Sequence, residues 1–144
     1  MNLYTIGFTK KKAEQFFNTL KKVKVKRIVD VRLNNVSQLA GFAKRDDLNY
    51  FLKTICNIDY IHFPELAPNK EILDNFKKKK GDWSSYQTSF LKLIKNRQIV
   101  NKYDRKIYDG DCLLCSEDTT DNCHRRLLAE HFRDHWPSVI IKHL

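Results

Sequence analysis

Acidic residues are in short supply in this chain. Its 17 aspartates and glutamates face 27 lysines and arginines, a formal net charge of +10. Proline and glycine are scarce as well, 3 and 4 in 144 residues. That excludes a long flexible or proline-rich linker, and the length suits one domain spanning 1–144. No run approaches the roughly 18 apolar residues of a membrane span, so no membrane partner is expected. The start, Met1-Asn2-Leu3-Tyr4-Thr5-Ile6-Gly7, lacks the charged opening and long apolar stretch of a signal peptide, and a cytoplasmic location is expected. Only 4 cysteines occur, Cys56, Cys112, Cys115 and Cys123. Without an export signal they are expected to be thiols rather than disulfides.

What the chain has in excess is lysine, much of it in runs such as Lys10-Lys11-Lys12 and Lys77-Lys78-Lys79-Lys80. An excess of positive charge attracts polyanions, which makes nucleic acid or a nucleotide a candidate partner. Such runs serve equally well as a solvated surface, because charge alone carries no specificity.

Short apolar strands alternate with helical patterns. Strands are predicted at Leu3–Ile6, Ile28–Val31, Ile58–His62, Cys112–Cys115 and Val139–Lys142. Helical spacing joins Ala13, Phe16, Phe17, Leu20 and Val23, with Thr9 as a cap. A second helix, capped by Asp46, buries Leu48, Phe51, Leu52 and Ile55. Further helices follow around Ile72–Phe76, after Asp82, and from Asn122 to about His135, with an extra turn between Asn96 and Asp104. Arg32–Lys44 reads as a loop, and Pro64 and Pro68 bracket a turn containing Glu65. The alternation predicts an α/β fold, a mostly parallel sheet of about five strands with helices on both faces. Ligands of such sheets bind beyond the carboxyl ends of the strands.

The densest chemistry follows the fourth strand: Cys115-Ser116-Glu117, a polar loop, then Cys123-His124-Arg125-Arg126. Zinc is considered first. Residues three apart on a strand point to opposite faces, so Cys112 and Cys115 are not expected to share an ion, and Cys123 and His124 are expected to diverge on a helix. No metal site is therefore expected. A cysteine-based phosphatase or sulfurtransferase loop fails too, because Asp121 stands where such a loop needs arginine. What remains is a helix start, capped from within Thr119–Asn122, whose amides and dipole favour an anion and activate a thiol. Cys123 becomes a candidate nucleophile and His124 a candidate base. Arg125 and Arg126 are candidate anion clamps, or ion-pair partners for Glu117 or Asp30. Asp30 and Arg32 share one strand face, and form either a base with an anion clamp or a pair that pins the loop. Trp83 and Tyr86, spaced with Phe90, read as core rather than as a stacking platform.

Tyr4-Thr5-Ile6-Gly7-Phe8-Thr9, Ile28-Val29-Asp30-Val31-Arg32, Ser37, Phe42 and the Leu113–Glu117 and Cys123-His124-Arg125 segments, taken in order, resemble the domain-of-unknown-function family numbered 488. The run Leu33–Phe42, with Glu65-Leu66-Ala67-Pro68 and Trp83-Ser84-Ser85-Tyr86, resembles one branch of it, with Asn34-Asn35 where many members have proline. The resemblance implies a small α/β protein whose cleft is lined by Gly7, Asp30, Arg32, Ser37, Phe42, Cys115, Glu117, Cys123, His124 and Arg125. It names no activity, and the sequence points to no particular cofactor or oligomeric state.

Three functions stand open. The first is an enzyme acting on a phosphorylated or nucleic-acid-related substrate, with Asp30, Glu117, His124 and Cys123 as catalytic candidates. Gly7, Thr9, Arg32, Ser37, Arg125 and Arg126 would then bind the anion. The second is a non-catalytic nucleic-acid binder. The third is a thiol-based redox or metal-responsive protein built on Cys115 and Cys123.

Overall fold

The computed structural model describes residues 1–36 and 40–144; Ser37, one of the expected anion-binding residues, lies outside them. Five strands, β1 (Asn2–Gly7), β2 (Arg27–Asp30), β3 (Asp59–His62), β4 (Asp111–Cys115) and β5 (Ile140–His143), form one sheet in the order β3-β2-β4-β1-β5. All neighbours run parallel. The α/β class and the parallel sheet are as the alternation of strands and helices predicts.

The apolar period of each strand sorts the helices onto two faces. Ile6, Ile28, Cys112 and Leu114 meet Phe16, Phe17 and Leu20 of α1 (Ala13–Lys22) and Leu48 of α2 (Arg45–Phe51). Leu3, Val29, Leu113 and Cys115 meet the other face. That face is covered by α3 (Lys70–Lys77), α4 (Trp83–Asn96), α5 (Ile99–Tyr103) and α6 (His124–His135). Phe16, Phe90 and Phe132 are fully buried, each stabilising the fold by roughly 2–3 kcal/mol relative to exposure. Asp82 caps α4 as expected, its Oδ1 accepting the Ser85 N–H at 2.7 Å.

Three local expectations are corrected. Thr9 does not cap α1. The chain first turns, Lys11 N–H donating to Phe8 O at 3.1 Å, and the helix starts after Lys12 with no side-chain cap. Asp46 lies inside the first turn of α2 rather than before it, where its charge still suits the helix dipole. Ile55 is 46% exposed. Beyond α2 the helix widens into a π turn over Leu52–Cys56, and the extra residue per turn rotates Ile55 off the buried stripe.

The connections after β1 and β2 lead one way across the sheet, and the connection after β4 leads the other way. β2 and β4 are neighbours, so the chain leaves their carboxyl ends in opposite directions. This is the topological switch point at which open α/β sheets form a crevice. Among the described residues, no helix is long and apolar enough to cross a membrane.

Candidate functional site

A pocket of about 240 Å³ opens at this switch point. Arg32, Leu33 and Asn34 after β2 form one wall, and Cys115, Ser116 and Glu117 after β4 form another. The start of α6 closes a third side with Asn122, Cys123 and His124, while Phe76, Lys77 and Tyr86 arrive from α3 and α4. A larger hollow of about 530 Å³ between α4, α5 and α6 takes no residue from a strand end.

The β2 wall is built on a buried carboxylate. Asp30 is fully buried. Its Oδ1 accepts the Arg32 backbone N–H at 3.1 Å and Nε at 2.8 Å. Its Oδ2 accepts Arg32 Nη2 at 2.8 Å, the Tyr60 hydroxyl at 2.6 Å and Asn35 Nδ2 at 3.3 Å. Burial pushes the carboxyl pKa upward, but Arg32 and Tyr60 outweigh it and hold the group below the usual carboxylate range. Asp30 is thus the charged footing of Arg32 and does not line the pocket. Arg32 does line it and is only 4% exposed. The guanidinium lies over the Phe8 ring at 5.2 Å. Its Nε and Nη2 are spent on Asp30. Nη1 is the one buried side-chain nitrogen or oxygen without a hydrogen-bond partner among the described residues. Such orphaned donors are rare, because each forfeits its hydration without replacement.

The β4 wall depends on a close approach. Gly7 pairs in register with Cys115, and a Cβ at Gly7 would overlap the Glu117 backbone carbonyl and touch Arg125 Nη1. Thr9 donates its backbone N–H to Ser116 O at 3.0 Å, and Lys11 pairs with Asp118 at 3.1 Å. Gly7 and Thr9 therefore shape the loop after β4 rather than face the pocket. Glu117 is exposed at the rim, and its charge joins burial in raising the pKa of the Tyr86 hydroxyl.

The α6 start differs most from expectation. Cys123 is not in the first turn. It is the N-cap, in extended conformation, with Sγ accepting the Arg125 N–H at 3.5 Å. That conformation swings its side chain back to the end of β4, where Cys115 and Cys123 are joined by a disulfide. The expectation of four free thiols is corrected; Cys56 and Cys112 are the free ones. Cys112 points to the opposite sheet face from Cys115, as strand parity requires. The expected divergence of Cys123 and His124 is corrected too. Donor atoms of Cys115, Cys123 and His124 lie within 4.8 Å of one another, because the cap residue does not follow the helical rotation.

His124 is buried, with Nε2 2.7 Å from Val31 O. A carbonyl only accepts, so Nε2 carries the proton. Burial, reinforced by the charges of Arg125 and Lys77, pulls the imidazole pKa down to about 4. At neutral pH the ring is uncharged and Nδ1 keeps its lone pair.

Arg125 is 0% exposed and does not line the pocket. Its Nε donates to Thr5 Oγ1 at 3.3 Å, and Nη2 reaches the Asp118 carbonyl at 3.5 Å. Nη1 donates to the Glu117 carbonyl at 2.6 Å and lies 3.0 and 3.3 Å from Sγ of Cys115 and Cys123. Arg126 turns away, binding Thr120 O at 2.9 Å and the Glu130 carboxylate at 3.3 Å. Neither arginine forms an ion pair with Glu117 or Asp30 among the described residues.

Of the expected residues, the pocket gathers Arg32, Cys115, Glu117, Cys123 and His124. Lys77 and Asn34, which line the pocket, and Tyr60, which binds Asp30 behind it, were missed. Lys77 ends a helix whose orientation no local pattern reveals, and Tyr60 reads locally as an ordinary strand aromatic. Tyr86 is both core and pocket wall, stacked on Trp83 at 4.8 Å.

A family model described as Domain of unknown function DUF488 matches residues 12–132. No curated protein and no solved structure matches the chain.

Proposed function

The chain belongs to the DUF488 family of unknown function, and from that premise and the pocket we propose that it is an enzyme acting on a small phosphorylated or nucleic-acid-derived substrate at the carboxyl ends of β2 and β4. The observation that carries the reading is the unpartnered, buried Nη1 of Arg32, a residue that lines the pocket. An anionic oxygen there would complete the guanidinium, which Asp30 already orients through two parallel bonds. The amino end of α6 and Lys77 add positive potential on two other sides.

Volume narrows the substrate. At about 240 Å³ the pocket is smaller than the roughly 300 Å³ at which drug-sized ligands begin to fit. A phosphomonoester head group suits it, with any larger moiety outside. Glu117, exposed at the rim, is the group placed to move a proton. Neutral His124 offers Nδ1 as an acceptor that orients a substrate hydroxyl or water. Asp30 is a positioning residue acting through Arg32.

The test is a thermal-shift panel of inorganic phosphate, mononucleotides, sugar phosphates and short single-stranded oligonucleotides, followed by turnover assays on whatever binds. The reading expects stabilisation by phosphomonoesters, and turnover of one of them that Glu117→Gln abolishes while binding persists. Binding of oligonucleotides alone, falling steeply with salt and without turnover, would favour a nucleic-acid binder and refute the enzyme reading.

A further inference from the structure

Arg125 poses a problem of charge. It is a fully buried guanidinium that forms no salt bridge among the described residues. Its side-chain nitrogens meet a hydroxyl, two backbone carbonyls and two sulfurs. The Glu117 and Asp118 carboxylates act only at a distance, and burial still pulls its pKa down. A buried cation left without an anion is strongly unfavourable. In the disulfide state the neighbouring sulfurs are neutral. With the bond closed, Nη1 lies 3.0 Å from Cys115 Sγ and 3.3 Å from Cys123 Sγ, so opening it would put a thiolate beside the guanidinium and supply the missing anion. Cys123 has a further advantage, because its sulfur caps α6, a helix of 12 residues, and accepts the Arg125 N–H. Both cysteines are buried and both are among the residues that line the pocket.

We propose that Cys115 and Cys123 are a thiol–disulfide exchange centre at the floor of the pocket, an oxidant of small thiols whose reduced form is held by Arg125. A substrate thiolate attacks Cys115 Sγ and forms a mixed disulfide, and the S–S electron pair leaves on Cys123 Sγ as a thiolate facing the guanidinium. A second substrate thiolate attacks the substrate sulfur of the mixed disulfide, forming substrate disulfide and releasing Cys115, which takes up a proton. Two thiols are oxidised to one disulfide, and the protein disulfide is reduced to the dithiol. Stabilising the reduced form makes a disulfide the stronger oxidant. The charged groups around the pair are Arg125, Lys77 on α3, Glu117 and Asp118 in the loop after β4, and Asp30 behind Arg32. His143 on β5 also faces Arg125. Neutral His124 adds no negative charge, and the buried thiol of Cys112, pushed up by burial, does not compete as the anion.

The experiment uses the full chain in a Cys56→Ser background, equilibrated with reduced and oxidised glutathione, quenched and read by alkylation mass shift. The proposal expects millimolar reduced glutathione to open the bond, and Cys123→Ser to trap glutathione on Cys115. In Cys115→Ser, where Arg125 is untouched, the thiolate absorbance of Cys123 should titrate below the ordinary cysteine range. Iodoacetamide should then react at pH 6.5 roughly ten-fold faster than with an unperturbed thiol. A bond that resists glutathione, a Cys123 thiol titrating at or above its ordinary value, or isolation of the reduced protein with one zinc per chain would each overturn it.

Discussion

Acidification tests the burial of His124. The ring is buried against Phe90 at 5.5 Å, and Nε2 is bound to Val31 O at 2.7 Å. Its pKa falls from 6.5 to about 4 on folding, with burial the leading cause. Above pH 6.5 the ring is neutral in both folded and unfolded chains and contributes no pH dependence. Below it the unfolded chain takes a proton that the folded one refuses, so stability falls as pH drops, until about pH 4. A shift of about 2.5 units at 1.36 kcal/mol each amounts to about 3 kcal/mol. The assay is urea unfolding at intervals from pH 7.5 to 4, comparing the native chain with His124→Asn. The native chain should lose about 3 kcal/mol more than the variant across that window. The difference isolates His124 from His131 and His143, whose pKa values are also lowered. Parallel losses in the two proteins would refute the reasoning, because His124 would then protonate freely in the folded state.

Four further outcomes are expected. Gly7→Ala forces a Cβ into the Glu117 carbonyl and should cost about 3 kcal/mol in denaturant unfolding. Asp30→Asn strips Arg32 of its buried counter-charge and should cost about 3–5 kcal/mol; Tyr60→Phe removes one bond from a carboxylate that keeps its arginine, and should cost about 1–2 kcal/mol. Asp82→Ala removes the α4 cap and should cost about 1 kcal/mol while leaving ligand binding unchanged, a control that separates stability from pocket chemistry.

Much of this was legible in the sequence, for identifiable reasons. Buried parallel strands are continuous apolar runs, so β2 and β4 stand out as Ile28-Val29 and Leu113-Leu114, and the polar residues just after them mark the strand ends. Asp30 and Arg32 meet because i and i+2 share a strand face. The α4 cap at Asp82 is a local hydrogen bond and therefore a local signal. The cysteines resisted reading because a single N-cap residue departs from helical geometry, which turned Cys123 toward Cys115 and beside His124. The role of Gly7 depended on a loop over one hundred residues away. Arg125 and Arg126 are adjacent and alike in sequence, yet one is buried beneath the strand ends and the other binds Glu130 on the surface.

On the proposed function, the unpartnered Nη1 of Arg32 takes an anion. This is tested most directly by calorimetric titration of inorganic phosphate into the native chain and into Arg32→Lys. Lysine can still pair with Asp30 but has no second donor edge to offer. Saturable one-site binding by the native protein is expected, with at least a ten-fold weaker affinity in the variant and folding retained. Equal affinity in the two proteins, or no binding to the native one, would contradict it.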